Sequence, residues 1–296
     1  MNTAAQTRSW RSQKATWGDV LIAAALLSAS LLVLFPIYNL LVISLTTEVA
    51  VIRTPVILFP APFSLDSYWA VFRNPLVMNG ILVTFLIMAV GVPYSLFLST
   101  SMAFGLTKNI PGMKLAAILL IVTLYFSGGL IPYYLLMKKL GLINNVLAMI
   151  LPYGASVFDI IILRNFFLSI PKEMEESATM DGAGDIMVYA RILLPMSTPI
   201  LVTIGLFIAV AYWNEWWNCL LFISDSRKQS LQYVLRSILM EVNQLQAVGD
   251  DTTGRILYSE GIKSAVVLVT ALPVVILYPF LQKYFVRGLS SGALKF

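Results

Sequence analysis

Histidine is absent from this 296-residue sequence, cysteine occurs once, and charged residues make up only 12% of the chain. The absence of histidine excludes histidine-based catalytic triads and imidazole metal sites. The single cysteine, Cys219, excludes an internal disulfide. Soluble domains carry about a quarter charged residues. A chain with about half that share cannot cover a compact body with a water-soluble surface, so most of it must face lipid or other apolar helices.

Long apolar runs replace the missing charge: 58% of the residues are hydrophobic and the mean hydropathy is +0.82. A bilayer core of about 30 Å needs about 20 mostly apolar helical residues. Six stretches meet this length, and they are continuously apolar rather than alternating, which favours helices over barrel strands. The sequence therefore predicts an all-α integral membrane protein with six transmembrane helices, at 20–45, 76–104, 115–137, 146–167, 192–223 and 262–285.

Lysine and arginine placement predicts the orientation, because cytoplasmic loops are enriched in these residues. One side receives Arg8, Arg11, Lys14, Lys108, Lys114, Lys283, Arg287 and Lys295. The other side has mixed charge, with Lys138 and Lys139 as exceptions. We expect a multi-pass membrane protein with both termini cytoplasmic. Because the basic residues are scattered over short segments, a nucleic-acid partner is not expected.

The predicted boundaries are a cytoplasmic tail at 1–19, a six-span transmembrane domain at 20–285 and a second cytoplasmic tail at 286–296. The first apolar stretch is too long for a signal-peptide core and has no clear cleavage site, so it is interpreted as a retained span. Two connections are too long and polar to be turns: 165–191 inside and 225–260 outside. The outer one contains apolar residues at helical spacing, which predicts an amphipathic helix: Leu231, Val234, Leu235, Ile238 and Leu239.

The inner connection has the pattern of a helical hairpin, at residues 172–195. Pro171 is placed like a proline at the first helical position, and acids follow it, where the helix dipole favours them. Ser177 and Ala178 are small, and Gly182 then ends the helix. A second short helix is expected at 186–191. On physical grounds, a docking surface for another protein and a merely structural loop both remain open.

The same residues resemble the EAA motif of ABC importer permeases: Glu176-Ser177-Ala178, three residues, Gly182, nine residues, then Ile192-x-Leu194-Pro195. The one departure is Ser177 in place of alanine. The resemblance implies the type I ABC importer permease fold, in which this hairpin is the coupling helix seated in a cleft of an ATP-binding subunit. The coupling residues that it implies are Glu176, Ser177, Ala178, Asp181, Gly182, Ile192, Leu194 and Pro195.

Further segments, at 126–132, 139–144 and 282–288, resemble carbohydrate-importer permeases of the smaller, MalG-like type. This implies a sugar substrate, with oligosaccharides or uronate polymers such as alginate as the nearest suggestion. The implied partners are a second permease subunit, two ATP-binding subunits, an extracellular or periplasmic solute-binding protein, the sugar and the lipid bilayer. No cofactor is expected on this chain, since ATP and Mg²⁺ would be held by the partner subunits. The sequence itself contains no phosphate-binding G-x-x-x-x-G-K-[ST] loop.

A solute path is predicted near the outer end of the fifth span, where aromatic rings, amides and a carboxylate follow one another. Sugars present hydroxyls and apolar ring faces, which these groups suit. An aromatic belt at the membrane interface is the alternative, although a belt does not require an acid. Replacing Asn214 and Glu215 by alanine is expected to impair transport and leave assembly intact. The predicted path residues are Trp213, Asn214, Glu215, Trp216, Trp217 and Asn218.

Asp159 is a second acid within a span, and Arg164, slightly more than one turn further on, is expected to neutralise it. No catalytic residues and no metal site are predicted, and the chain is not expected to be an enzyme. A permease for a non-sugar solute and a secondary transporter remain alternatives. The second would have buried charges along its path and often an internal repeat, and neither is evident.

Overall fold

The computed structural model describes residues 17–53, 57–248 and 260–293, and its regular elements in these ranges are helices, with one isolated bridge between Thr46 and Phe63. Most of the predicted tail 1–19, part of the outer connection 225–260 and the last three residues lie outside them. The α-helices are α1 Trp17–Ser44, α2 Glu48–Arg53, α3 Asp66–Arg73, α4 Pro75–Gly105, α5 Met113–Tyr125, α6 Leu130–Lys139, α7 Leu147–Ile150, α8 Val157–Ser169, α9 Lys172–Met180, α10 Asp185–Val188, α11 Leu194–Met196, α12 Thr198–Trp213, α13 Trp217–Phe222, α14 Leu231–Val248 and α15 Glu260–Ala293.

Three of these helices, α1, α4 and α15, are long and apolar enough to cross a membrane. Three bent pairs pass the same test together: α5 with α6 at 114°, Leu147–Tyr153 with α8 at 44°, and Asp185–Met196 with α12 at 82°. The described residues therefore contain three helices that could span a membrane, or up to six such spans if each bent pair is one span. The all-helical prediction is confirmed, and the count of six stays a prediction.

Two predicted spans have different ends in the structure. The fifth was expected at 192–223, but Ile192 lies in the segment that bends by 82° against α12, and α12 ends at Trp213. Pro195 and Pro199 have no N–H to donate, which favours a break between the two segments. Helix α15, which contains the predicted sixth span, continues beyond the expected end at 285 to Ala293. The predicted tail at 286–296 is therefore helical up to that residue.

The bend between α5 and α6 falls at Ser127-Gly128-Gly129, where the sequence alone leaves a hinge and a close helix contact both open. Gly129 has a φ of +86°, a left-handed value that residues with a Cβ rarely adopt. The adjacent Gly128 makes no close contact, since a Cβ built there would lie 3.8 Å from Pro132. Of the two roles open for this glycine pair, a backbone turn therefore fits the structure better than close helix packing.

Helix α4 is central, packing against α8, α12 and α14. Asn74 caps it by accepting a hydrogen bond from the Leu76 amide at 2.9 Å, and Pro75 follows as its first residue. Residues spaced three or four apart share one face of a helix, and on α4 that face is buried. The buried residues of this face between 77 and 99 are Val77, Gly80, Thr84, Ile87, Gly91, Ser95 and Ser99.

Much apolar surface remains exposed elsewhere. On α1, for example, Leu26 and Leu27 are 64% and 63% exposed. Soluble monomers rarely expose contiguous apolar patches of this kind. This surface suits contact with lipid tails or with the apolar helices of another subunit.

Candidate functional site

The hairpin predicted at 172–195 begins with α9. Pro171 was expected at the first helical position, but it is the N-cap, and Lys172 is the first helical residue. Glu173 and Glu175 occupy the first turn, where carboxylates interact favourably with the positive end of the helix dipole.

Gly182 ends this helix in a defined turn. Its φ is +85°, and its amide donates to the Thr179 carbonyl at 3.0 Å, while the Ala183 amide donates to the Ala178 carbonyl at 2.9 Å. These two bonds form a Schellman motif, which requires a left-handed residue after the helix and favours glycine there. The predicted helix-ending role of Gly182 is therefore seen directly.

The hairpin presents polar and apolar groups to its surroundings. Glu176 and Ser177 are exposed, and Ala178 is half-buried. Two large apolar side chains at the far end are almost fully exposed: Met180 at 88% and Ile186 at 83%. Exposed apolar side chains of this kind suit a contact surface for another protein.

The second arm of the hairpin differs from the helix predicted at 186–191. Helix α10 covers Asp185–Val188 and continues as a π-helical turn over Tyr189–Leu193. Single π turns of this kind are frequent at functional sites. Leu193 is buried, and Ile192, Leu194 and Pro195 lie on the segment that bends into α12.

Lys108, which follows α4, closes the base of the hairpin. Its Nζ forms ion pairs with Glu175 and, at 2.9 Å, with Asp185, and it lies 4.7 Å from the centre of the Phe104 ring. Partial burial lowers the pKa of Lys108, but hydrogen bonds and charge from Glu175 and Asp185 outweigh this and raise it overall. Sequence reasoning used Lys108 only for orientation, because a lone lysine has no spacing that signals its partners.

Tyr189 fixes the same base to α4. Its ring stacks on Phe104 with 5.0 Å between the ring centres, and its hydroxyl lies 2.7 Å from Thr100 Oγ1 and 3.3 Å from Ser101 Oγ. The hairpin is therefore joined to the end of α4 by an ion-pair cluster and by an aromatic contact.

At the other predicted site, Glu215 lies in the break between α12 and α13. Its side chain is 1% exposed and accepts hydrogen bonds from the backbone amides of Asn218 at 2.6 Å and Cys219 at 3.2 Å. A carboxylate in this position caps the helix that follows. The Ser230 hydroxyl donates to the Glu215 carbonyl at 2.5 Å. The acid is thus used to hold the backbone of the break.

The six predicted path residues lie together at this break but do not face one way. Trp213 is buried and donates its indole N–H to the Thr270 carbonyl at 3.0 Å. Asn218 is also buried and accepts from the Tyr133 hydroxyl at 2.7 Å. The three that reach the surface are Asn214, Trp216 and Trp217.

Helix α14 brings two further polar residues to these three. The Arg236 Cζ lies 3.9 Å from the centre of the Trp216 ring, and Gln232 Nε2 donates to Asn214 Oδ1 at 3.4 Å. Sequence reasoning missed both, because only the apolar face of the predicted amphipathic helix was considered. The polar positions between its apolar residues were the available signal.

Asp159 does not pair with Arg164 as expected. Asp159 is 7% exposed beside Ser156, which caps α8, whereas Arg164 Nε donates to the Leu106 carbonyl at 3.1 Å. Five residues along an α-helix turn the side chain roughly 140° away from the first, so the arginine faces α4 instead. The expected neutralisation was wrong.

Comparison with known proteins gives the family, although no family model matches the chain. The chain is 37% identical over 279 residues to the polygalacturonan/rhamnogalacturonan transport system permease protein YtcP of Bacillus subtilis, covering 94% of this chain and 98% of that protein. It is 39% identical over 263 residues to protein LplC of the same organism, with 88% and 89% covered. A crystal structure of a bacterial ABC transporter involved in the import of the acidic polysaccharide alginate matches with a TM-score of 0.83 and 30% identity, over 93% of this chain and 100% of that one.

The chain belongs to the ABC sugar-transport permeases. The family resemblance suggested by the hairpin motif is therefore confirmed. Permeases of this family are integral membrane proteins and transport subunits rather than enzymes, and they carry no cofactor themselves.

Proposed function

We propose that this permease contributes six spans and half of the translocation path to a binding-protein-dependent importer in the bacterial inner membrane. Both termini and the hairpin face the cytoplasm. A second permease encloses the path, two ATP-binding subunits hold ATP and Mg²⁺, and an external solute-binding protein delivers the substrate. The predicted boundaries, with tails at 1–19 and 286–296, belong to this proposal.

The observation that carries the proposal is the contrast between the two ends of the hairpin. Its tip exposes Met180 and Ile186, which suits insertion into a cleft of an ATP-binding subunit. Its base is tied to α4 through Lys108 and Tyr189. When ATP binding closes the partner subunits, a hairpin held in this way moves with them and displaces α4 and α12 together.

The proposed substrate is an oligosaccharide that contains uronic acids. Support comes from two similar proteins: YtcP is named for transport of polygalacturonan, a polymer of galacturonic acid, and the transporter of known structure takes part in import of the acidic polysaccharide alginate. Aromatic rings and amides on the surface of the break after α12 suit sugar rings and hydroxyls. The path residues Trp213, Asn214, Glu215, Trp216, Trp217 and Asn218 remain a proposal, with Asn214, Trp216 and Trp217 the ones that can reach a solute.

ATP-driven uptake by the purified assembly tests this function. The permease is isolated with its partners, inserted into liposomes and supplied with its binding protein and labelled oligogalacturonates. We expect uptake that requires ATP inside the cytoplasmic compartment and an ATPase that co-purifies with the permease. Uptake driven by an ion gradient without ATP, or an active assembly without an ATPase, would contradict the proposal.

A further inference from the structure

The surface of the break after α12 carries five residues that together form an outer cluster: Asn214, Trp216, Trp217, Gln232 and Arg236. Trp216 is its centre, with Trp217 at 5.4 Å between ring centres and Arg236 over its ring face. The two amide side chains are joined to each other by one hydrogen bond. The cluster therefore combines an aromatic pair, two amides and a cation on one face.

Arg236 has no acidic partner among the side chains that the structure describes, and its guanidinium contacts the Trp216 ring instead. An arginine stacked on an indole keeps the N–H groups in the guanidinium plane available, and the stacking orients that plane. The side chain is exposed on α14. Its free donors match the two oxygens of a carboxylate, which arginine binds through parallel hydrogen bonds.

The neighbouring residues suit the remainder of a sugar. Trp217 is 43% exposed and offers an indole face that Arg236 does not cover. Asn214 is exposed and points one amide N–H at the Val210 carbonyl at 2.9 Å, which leaves its second N–H for a ligand. Behind the cluster, the buried carboxylate of Glu215 holds the backbone of the break through the amides of Asn218 and Cys219.

We propose that the outer cluster is a subsite for one uronic-acid residue of the substrate as it enters the path. Arg236 binds the sugar carboxylate, Trp217 contacts the apolar ring face, and Asn214 and Gln232 bind hydroxyls. This inference rests on the proposed import of acidic oligosaccharides and adds the site that distinguishes acid from neutral sugar within the permease. A lipid phosphate or an acidic surface of the binding protein would use the cation but not the amides and the free indole face.

The test compares two substrates that differ only in charge: oligogalacturonates and their methyl esters. Uptake of both is measured with the reconstituted importer and one binding protein, for the unmodified permease, Arg236→Gln and Arg236→Lys. Arg227→Gln is the matched control, because Arg227 is 81% exposed in the same outer connection and pairs with Asp225 away from the cluster. Affinity of the binding protein for the importer and basal ATP hydrolysis are recorded for every variant.

We expect Arg236→Gln to reduce the ratio of acid uptake to ester uptake about tenfold, which corresponds to about 1.4 kcal/mol, because glutamine lacks the positive charge that strengthens hydrogen bonds to a carboxylate. Ester uptake, binding-protein affinity and basal hydrolysis should stay unchanged. Arg236→Lys should keep part of the preference, and Arg227→Gln all of it.

An unchanged ratio in Arg236→Gln would overturn the subsite. So would an equal loss for acid and ester, or a loss of binding-protein affinity, because either would make Arg236 a structural or docking residue. If the unmodified importer took up neither substrate, the proposed function itself would fail, and the subsite with it.

Discussion

Gly182 and Gly184 lie two residues apart in the hairpin but have different backbone requirements. Gly182 has a φ of +85°, whereas Gly184 is extended with a φ of −77°. A Cβ added at either position meets nothing within 4 Å. Any difference between alanine substitutions at the two sites must therefore come from the backbone rather than from steric contact.

We predict that Gly182→Ala lowers ATP-driven uptake several-fold, while Gly184→Ala leaves it unchanged. A left-handed conformation costs a residue with a Cβ about 1–2 kcal/mol, which is enough to shift the turn that positions Met180 and Ile186. Uptake and ATP hydrolysis in proteoliposomes measure the effect. Equal activity of the two variants would show that the turn geometry does not matter for coupling.

Glu215 and Asn214 are adjacent, but Glu215 is buried and Asn214 is exposed. The sequence led us to expect that alanine at either position affects transport and not assembly, whereas the structure predicts different effects for the two residues. We predict that Glu215→Ala lowers the melting temperature of the purified permease, because two buried amides lose their acceptor at a cost of about 1–3 kcal/mol. Glu215→Gln keeps an acceptor oxygen and should lose less. Asn214→Ala, at an exposed position, should reduce uptake without changing the melting temperature. A stable Glu215→Ala permease would contradict the capping role.

At the scale of elements, the hairpin depends on a residue from a different part of the chain. Lys108 follows α4 and bridges Glu175 on α9 to Asp185 on α10, so it holds the two arms of the hairpin together. Lys114, in the first turn of α5, is exposed and forms no ion pair with the described residues.

We predict that Lys108→Gln uncouples ATP hydrolysis from uptake, while Lys114→Gln behaves like the unmodified permease. The ratio of sugar taken up to ATP hydrolysed is the measurement, and melting temperature shows whether folding is affected. Because its partners raise the pKa of Lys108, the ion pairs are fully present below the ordinary lysine pKa and are lost only as pH rises through the raised value. A coupling ratio that fell already at mildly alkaline pH would therefore argue against this role.

The sequence predicted helices well where a local pattern, such as a continuous apolar run, is enough to determine them. The apolar runs predicted α1, α4 and α15 to within a few residues of at least one end. The ends set by tertiary contacts were missed. The break after Trp213 depends on Glu215 capping α13 and on Ser230 from beyond the next loop, and no spacing in the sequence encodes that meeting.

The same limit applies to the candidate sites. The hairpin motif is contiguous, so its residues and the turn at Gly182 could be predicted from the sequence. Lys108 and Arg236 could not, since each reaches its partner from a distant segment. A periodic pattern indicates which face of a helix is apolar, but it does not identify the neighbour that the polar face will meet.

At the scale of the whole molecule, the proposed orientation assigns the hairpin and the 225–260 connection to opposite sides of the membrane. We predict that a membrane-impermeant thiol reagent modifies Ser177→Cys only from the cytoplasmic side and Arg227→Cys only from the outside. Both positions are exposed, and the natural Cys219 is buried, so it contributes little background. Modification of both from one side would refute the topology and the coupling role of the hairpin.

Helix α4 has contacts of interest at both ends. Near its C-terminal end, Thr100 contacts Tyr189 of the hairpin. Nearer its N-terminal end, Thr84 Oγ1 accepts a hydrogen bond from the Leu231 amide at 2.9 Å, at the start of the helix that carries Arg236. A 31-residue α-helix is about 46 Å long. Under the proposed function, one helix therefore links the coupling hairpin to the helix that carries the outer cluster, and we expect a tilt of α4 to move both in the same step.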